Sequence, residues 1–395
     1  MKKKEIILLI IFFTIHKKKI SILLINQINN LKNGKHKSLN QTNKNIFNIY
    51  SGIDPNDPLL YDKIGEKIYS ETGSLSFNRI DEIFNNISNI NYSKFDHIHI
   101  AMSFNNDYYL LSTVSIATLL KNSNPNTYIH LHIITVDDWI YPTMKKINSL
   151  KHKINNNSEF IFHNGERALK DFGNSTKNEN QGIGEYARLL APYFVNETDR
   201  IIITDSADLF FEKDLLELYN YPLEDKFIKG TIDPFTPCFP HFIFFHKENY
   251  FNSGVLLVNA KKWRELDLYQ DIVKFYNSFE YKGKLKTPVQ DILNHFFPAV
   301  AIGNLPLRYN FQGHVSSKQA IYFPYNMIYD YYCSKFNKKK DYLIEEEKKI
   351  LIRHTNKYKV YQSGAFSELK NEWKYYANMT GFYNELCMKY KYACI

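Results

Sequence analysis

Residues 200–211 read Arg200-Ile-Ile-Ile-Thr-Asp-Ser-Ala-Asp-Leu-Phe-Phe211. A short β-branched apolar run ends at Asp205, and a second carboxylate, Asp208, follows before the apolar pattern resumes. Such a run is typical of a strand in a sheet that is covered on both faces. Because ligands bind at the carboxyl ends of strands in open α/β sheets, this pair predicts a place where a divalent cation and a phosphate meet. The alternative from these residues alone is a turn, in which Ser206 or Asp208 begins the helix holding Asp214–Tyr219.

The periodicity around this stretch predicts an α/β fold. His97–Met102 alternates as a strand does, Tyr109–Leu120 follows helical spacing, and Tyr128–Thr135 is the next predicted strand. This order is a βαβ unit, from which mostly parallel, Rossmann-like nucleotide-binding sheets flanked by helices are built. The pattern predicts further strands at Glu159–His163, Arg200–Thr204, Phe227–Gly230, Ser253–Asn259 and Ile350–His354, and helices at Ile183–Phe194, Ala260–Phe275 and Val289–Phe297.

Composition narrows the class of protein. The chain has 395 residues, is 44% apolar and carries a formal charge of +9, so it can bury a large core. The lysines are spread along the chain without an Arg-rich helix, and we therefore expect no nucleic-acid partner. The four cysteines form no CxxC pair, which argues against a zinc site. Cys387 and Cys394 are close enough in sequence to pair in an oxidising compartment.

The N-terminal quarter differs from the rest. Residues 1–26 contain a basic start and the apolar run Ile6–Ile15, which a lysine cluster separates from Ile20–Ile25. These are the proportions of a signal peptide or an imperfect signal anchor, and the alternative is an amphipathic or disordered arm. We expect a secretory location, in the Golgi or ER lumen, with the N-terminus as the candidate membrane contact; a cytoplasmic location stays open. Residues 27–92 are polar and predict a linker or stalk with one short helix near Ile80–Ile87.

Five segments stand in one order along the chain: Gly184–Pro192, Asp205–Asp208, Tyr250–Asn259, Gln290–Asn294 and Leu305–Gln312. In this order they resemble the family-8 retaining glycosyltransferases, and the resemblance runs from about Ile98 to about Tyr361. It implies a GT-A catalytic domain over residues 93–395, a UDP-sugar donor, a divalent metal that is usually manganese, and retention of anomeric configuration. The acceptor would be a glycan, a lipid or a protein.

The resemblance also implies metal ligands. The family supplies two carboxylates from an Asp-x-Asp motif, whereas the acids here are one residue further apart. Aligning backward from Lys213-Asp214 places Asp208 on the second family Asp and Ser206 on the first, so Asp205 must reach in from a one-residue bulge. His354 matches the third family ligand at the end of a predicted strand. The alternative for His354 is a surface histidine beside ordinary lysines.

The loop after His354 departs from the family, because Lys359-Val-Tyr361 stands in place of Lys-Pro-Trp and the glycine is missing. Lys359 is the implied diphosphate contact and Lys357 is its alternative.

Further residues are implied in donor binding. Asn105, Asn106 and Tyr108 match the first nucleotide-binding loop, in which Tyr108 would stack on uracil; the alternative is an ordinary βα loop. Arg188 matches an arginine that approaches the donor sugar and diphosphate, and its alternative is a surface salt bridge. Gly254 permits close approach of the backbone.

The resemblance implies that three residues lie beside the sugar that reacts: Asn252, Gln290 and Asp291. Gln290 would lie near the anomeric carbon, and Val289 stands where the family often has Asp. Since no carboxylate nucleophile is evident, the implied reaction is front-face displacement, with a diphosphate oxygen accepting the acceptor's proton. The altered motifs leave a second hypothesis open, a degenerate member that binds nucleotide-sugar or glycan without turnover.

Overall fold

A computed structural model describes the fold over residues 59–78, 80–81, 92–136, 141–155, 157–172, 184–233, 250–278, 285, 287–312, 345–355 and 367–394. The chain divides into two units, Met1–Ile64 and Gly65–Ile395, and the second holds the sheet. The predicted N-terminal signal, most of the predicted helix Ile80–Ile87, and both Lys357 and Lys359 lie outside the described residues.

The strands follow the predicted order along the chain. They are β1 Ser74–Ser76, β2 Asp96–Ser103, β3 Thr127–Thr135, β4 Ser158–Asn164, β5 Arg200–Thr204, β6 Leu209–Phe211, β7 Ile228–Ile232, β8 Phe251–Asn259, β9 Ile302–Asn304, β10 Phe311–Gln312 and β11 Ile352–His354.

The helices lie before, between and after these strands. They are α1 Leu60–Thr72, α2 Tyr109–Asn122, α3 Tyr141–Ile154, α4 Glu166–Phe172, α5 Gly184–Ala187, α6 Ala191–Phe194, α7 Leu216–Tyr219, α8 Ala260–Glu265, α9 Leu268–Ser278, α10 Pro288–Phe296, α11 Ser367–Thr380, α12 Tyr383–Lys389 and α13 Lys391–Cys394. A disulfide joins Cys387 to Cys394 and so connects α12 with α13. None of the helices in the described part of the chain is long and apolar enough to cross a bilayer.

Within the described residues, eight strands form one sheet in the order β1-β4-β3-β2-β5-β8-β7-β9. Strands β2, β3, β4 and β5 are parallel neighbours, and β7 and β9 are also parallel to each other. Only β1 and β8 run against the others in this sheet of described strands. The α/β, mostly parallel architecture predicted from the sequence is confirmed.

This topology collects chain segments at one edge of the sheet. The carboxyl ends of β2, β5 and β7 reach the same edge, because β5 is parallel to β2 while β8 is antiparallel to both β5 and β7. The amino end of β8 reaches that edge for the same reason. Residues that follow β5 and β7 therefore meet the first residues of β8, at the position where open α/β sheets bind ligands.

A second sheet brings one more strand to this edge. Strand β11 lies between β10 and β6 in a three-stranded sheet of the described residues. It pairs antiparallel with β6, and Leu209 faces His354 in the register. The chain enters β6 directly after Asp208, so this pairing fixes the distance between that carboxylate and the histidine.

The sheet begins earlier in the chain than the predicted domain start at residue 93. Strand β1 lies in the segment predicted to be a stalk and pairs with β4 as the outermost strand of the sheet. Leu75 of β1 is buried, and so is Phe77, which directly follows the strand. The alternation of Ser74-Leu-Ser-Phe77 is too short to stand out in a polar sequence. The helix predicted over Ala260–Phe275 is interrupted, because Asp267 adopts a positive φ of 48° between α8 and α9.

The contact between α10 and β8 gives a stability prediction. The buried Asn294 side chain accepts a hydrogen bond from the Phe251 N–H (2.9 Å) and donates one to the Phe251 carbonyl (2.8 Å). Asn294→Ala leaves two buried backbone groups without these partners, so we expect the free energy of unfolding to fall by about 2–4 kcal/mol.

Asn378→Ala is the control in urea unfolding, since that exposed side chain donates to the Lys374 carbonyl of its own helix, at 2.8 Å, and joins no second element of the described residues. We expect a change of about 0.5 kcal/mol or less. Equal losses for the two variants would show that the Asn294 hydrogen bonds do not hold α10 against β8.

Candidate active site

Two carboxylates and one imidazole converge at the sheet edge. His354 Nε2 lies 3.5 Å from Asp205 Oδ2 and 3.6 Å from Asp208 Oδ1, and the three ligand atoms lie within 4.8 Å of one another. His354 and Asp208 are 2% and 8% exposed, respectively, whereas Asp205 is half-buried. The structure therefore brings together all three residues that the sequence suggested as metal ligands.

The backbone explains how the more widely spaced acids both reach this point. The Asp205 N–H donates to the Gly254 carbonyl at 2.8 Å, which extends the β5–β8 pairing by one residue. The Asp208 carbonyl accepts hydrogen bonds from the N–H (2.8 Å) and Oγ1 (3.1 Å) of Thr355. Asp205 is thus held by β8, and Asp208 by the residue after β11, while the intervening residues form the connecting turn.

Ser206 does not take the place of the first acid. Its hydroxyl donates to the Ser103 carbonyl at the end of β2, at 3.3 Å. The residue that aligns with the family's first Asp therefore ties the turn to the sheet, and Asp205 supplies the carboxylate that faces His354.

A buried hydrogen-bond chain orients the His354 ring. Asn310 Nδ2 donates to Asn252 Oδ1 at 2.9 Å, so its Oδ1 is left as an acceptor for His354 Nδ1 at 3.1 Å. This arrangement places the proton on Nδ1 and turns the Nε2 lone pair toward the carboxylates. Metal-bound histidines are oriented in the same way, by a hydrogen bond from the other ring nitrogen.

The donor set fits a divalent cation. A lone pair that faces two carboxylate oxygens is unfavourable unless a positive charge lies between them. Ligand bonds of about 2.0–2.2 Å put neighbouring ligand atoms roughly 3 Å apart, close to the spacing in this cluster. One imidazole nitrogen and two carboxylate oxygens suit a divalent cation that accepts both nitrogen and oxygen ligands.

Gly254 makes room for the histidine. A Cβ at this position would lie 2.4 Å from His354 Cε1 and 2.7 Å from His354 Nδ1. Real Cβ atoms do not approach so closely, and both atoms belong to a rigid, buried ring. The close approach predicted for Gly254 is thus an approach of the backbone to His354.

Arg188 contacts a carboxylate of the cluster. The buried guanidinium donates through Nη1 to Asp205 Oδ1 and to the Ser253 carbonyl (3.3 Å), and through Nη2 to Ser253 Oγ (3.2 Å). The sequence offered a donor contact or a surface salt bridge, and the structure shows an ion pair in which the guanidinium is buried and the Asp205 carboxylate is partly exposed. This pair holds one oxygen of Asp205 and leaves the other toward His354.

A second polar cluster lies beside the first. Gln290 Nε2 donates to Asp233 Oδ2 at 2.8 Å, and Asn252 Nδ2 donates to the same oxygen at 3.3 Å. Gln290 Oε1 accepts from the Ser253 N–H at 2.9 Å. The buried amides of Gln290 and Asn252 are therefore held in one orientation by the protein.

Sequence reasoning missed Asp233. It follows β7 directly, as Asp205 follows β5, so the rule that ligands bind at strand ends could have identified it. The short strand Ile228–Ile232 contains Lys and Gly, and it is less conspicuous than the Ile run of β5.

Asp291 differs from the prediction that it is catalytic. It is 1% exposed in the first turn of α10, where Oδ2 accepts from the Thr287 N–H at 3.1 Å and Oδ1 accepts from the Tyr250 hydroxyl at 2.5 Å. This is a capping arrangement at a helix start. Burial, together with the adjacent Asp291, raises the pKa of Tyr250 and keeps its phenol a neutral donor. We therefore assign Asp291 a structural role.

The predicted nucleotide loop lies after β2, at the same edge of the sheet. Asn105 uses its backbone carbonyl to accept from Tyr108 and Tyr109 N–H (both 3.1 Å) and its Oδ1 to accept from Asp107 N–H (3.1 Å). The Asn106 carbonyl accepts from Lys389 at 3.2 Å. The Asn105 side chain thus builds the turn into α2, while Tyr108 is half-buried at its start.

The close approach of the Gly254 backbone to His354 gives a prediction for Gly254→Ala. The new methyl group must displace the imidazole, so we expect the affinity for Mn²⁺ to fall by about tenfold or more. Isothermal titration of Mn²⁺ into the protein measures this.

Gly184→Ala is the matched control, because its Cβ would lie 3.6 Å from its nearest neighbour, the Asn105 nitrogen, at ordinary contact distance. Unchanged Mn²⁺ affinity for Gly254→Ala would show that His354 does not bind the ion.

Comparison with solved structures identifies the architecture. The galactosyltransferase LgtC, in complex with donor and acceptor sugar analogs, superimposes with a TM-score of 0.55 at 22% identity, covering 72% of this chain and 95% of that chain. The bifunctional WbbM apo structure gives 0.56 at 16% identity, covering 74% of this chain and 51% of that one. At these identities the likeness concerns the fold, which is GT-A.

Sequence comparison identifies the family. A putative glycosyltransferase of Haemophilus influenzae is 27% identical over 190 residues, 44% of this chain and 57% of that protein. The lipopolysaccharide glucosyltransferase WaaO of Escherichia coli K12 is 28% identical over 188 residues, 46% of this chain and 53% of that protein. The matches span little more than half the length of these curated relatives. The model of glycosyl transferase family 8 matches residues 99–359, and this chain belongs to that family.

Proposed function

We propose that this protein is a metal-dependent retaining glycosyltransferase, which moves a hexose or pentose from a UDP-sugar to a glycan, lipid or protein acceptor. The observation that carries the proposal is the convergence of Asp205, Asp208 and His354. A family match alone would be equally consistent with a member that had lost its site. The buried network behind His354 orients that ring as a ligand.

Asp205 Oδ2, Asp208 Oδ1 and His354 Nε2 would hold the cation, which we propose is Mn²⁺. When bound, a divalent ion stabilises the negative charge that develops on a leaving nucleotide diphosphate. Arg188 supports this site by holding the far oxygen of Asp205. Side chains of the protein would supply the remaining contacts to the substrates.

The second cluster supplies the proposed sugar contacts. Gln290 and Asn252 share Asp233 Oδ2 as an acceptor, so their amides are oriented before any substrate arrives. Preorganised dipoles of this kind lower a barrier because they need not reorganise during the reaction.

Two carboxylates near this cluster already accept hydrogen bonds from other residues of the protein. Asp291 receives hydrogen bonds at the start of α10 and Asp233 receives two amides. This supports front-face displacement, in which the acceptor oxygen bonds to the anomeric carbon on the face that the diphosphate leaves. A diphosphate oxygen would accept the acceptor's proton.

The donor sugar is proposed only as a class. Val289, which stands where the family often has Asp, is fully buried in the core, so a carboxylate contact to the sugar is lost at that position. The galactosyl and glucosyl specificities in the names of LgtC and WaaO belong to those proteins.

We also propose a secretory location, directed by the basic and apolar residues 1–26. A reporter fused to the full chain should acquire luminal glycosylation, and one fused to a chain without residues 1–26 should not. Equal glycosylation of both would exclude this segment as the signal.

The activity is tested by a screen of UDP-sugars for Mn²⁺-dependent release of UDP. We expect release with at least one donor, and a loss of about 100-fold or more in kcat for Asp208→Asn and for His354→Ala, since each removes a ligand. Asp225→Asn is the control, because that carboxylate is fully exposed to solvent and its substitution should leave the rate unchanged.

The two hypotheses give different outcomes in this screen. Absence of UDP release from every donor, together with absence of metal-dependent UDP binding, would refute the transferase proposal. Metal-dependent binding of a UDP-sugar without turnover of any donor would instead support the degenerate alternative.

A further inference from the structure

Histidines line one face of the sheet, away from the site described above. Register pairs His99 of β2 with His130 of β3, and alternation along each strand places His97 and His132 on the same face. His163 of β4 joins them through a ring contact with His132, with centroids 5.3 Å apart. Strands of a covered parallel sheet are usually apolar on both faces, and the transferase chemistry uses none of these rings.

Two of these imidazoles and a carboxylate come together on this face, where the two rings are hydrogen-bonded to each other. His99 Nδ1 lies 3.1 Å from His132 Nε2 and 3.9 Å from Glu197 Oε1, and the three atoms lie within 4.8 Å of one another. We propose that His99, His132 and Glu197 form a second metal site, which binds a zinc-class divalent transition ion.

The distances suit such an ion. Zinc binds imidazole nitrogen at about 2.0–2.1 Å and carboxylate oxygen at about 2.0–2.2 Å, which puts two tetrahedral ligands roughly 3.3–3.4 Å apart. An ion would replace the hydrogen bond between His99 Nδ1 and His132 Nε2, so both rings would turn and the two nitrogens would separate by a few tenths of an ångström. The carboxylate would approach His99 by about half an ångström. Glu197 can do so, because its side chain is 49% exposed on the turn before β5. That exposure also provides an entry path and a fourth position for water.

The neighbours of His132 support a ligand role for its Nε2. His132 Nδ1 lies 3.0 Å from His163 Nε2, and His163 Nδ1 lies 2.9 Å from Ser74 Oγ. With an ion on Nε2, His132 would donate its Nδ1 proton to His163, which would in turn donate to Ser74. Histidine ligands are commonly fixed by such donation to a further group.

The second site is separate from the first. His99 precedes Ser103, the last residue of β2, by four positions, which is roughly 13 Å along a strand. Glu197 precedes β5, whose opposite end leads to Asp205. The ligand sets also differ, since two nitrogens and one oxygen favour zinc-class ions more than one nitrogen and two oxygens do. An ion here would link the turn between α6 and β5 to strands β2 and β3. It would therefore stabilise the folded protein rather than take part in sugar transfer.

The test uses the full-length protein, stripped with a chelator and titrated with Zn²⁺ or Co²⁺. We expect binding with an increase in the thermal unfolding midpoint, and a Co²⁺ absorption spectrum typical of a tetrahedral site. Glu197→Gln should weaken Zn²⁺ binding at this site by about tenfold or more. Glu265→Gln is the control, because Glu265 is an exposed glutamate on α8, and it should bind Zn²⁺ as the wild type does.

Asp208→Asn separates the two sites, because it should leave the Zn²⁺-dependent midpoint shift and the Co²⁺ spectrum intact. The proposal would be overturned by no Zn²⁺-dependent shift in the wild type, by equal affinity in Glu197→Gln, or by loss of the shift in Asp208→Asn. Since Glu197 lies at the surface, its variant is expected to fold even where a variant of His99 does not.

Discussion

The antiparallel pairing of β6 with β11 is the constraint on which the candidate active site depends. It places His354 opposite Leu209, and therefore next to Asp208, although the two residues are far apart in the chain. Asp205 reaches the same point from the other side, because its N–H continues the pairing of β5 with β8. Gly254, the residue that accepts this hydrogen bond, also leaves the space that His354 occupies. One glycine thus serves both the strand register and the ligand geometry.

The sequence predicted those parts of the structure that repeat with a regular period. Strands such as β2, β3 and β5 are long or strongly apolar, and their ends lie within about two residues of the predicted ends. Strand β1 escaped prediction because three residues in a polar segment carry no periodic signal. The interruption at Asp267 escaped as well, since a single positive φ leaves the apolar spacing of α8 and α9 almost unchanged.

The sequence predicted which residues form the site, but it did not predict the role of each residue. Resemblance identified Asp205, Asp208 and His354, and the structure brings them together. It could not show that Ser206 would bond the end of β2, or that Arg188 would pair with Asp205. Asp291 was assigned to catalysis, yet its oxygens cap α10 and accept from Tyr250. Such roles depend on hydrogen bonds between distant segments, which motif spacing does not encode.

In the proposed metal site, the displaced Asp205 binds the ion together with Asp208 and His354. This site is tested by a crystal structure of the protein soaked with Mn²⁺ and UDP, with anomalous scattering recorded at the manganese absorption edge. We expect one anomalous peak within about 2.5 Å of Asp205 Oδ2, Asp208 Oδ1 and His354 Nε2, with a diphosphate oxygen on the same ion. A peak bound by Ser206 instead of Asp205, or no peak between these residues, would contradict it.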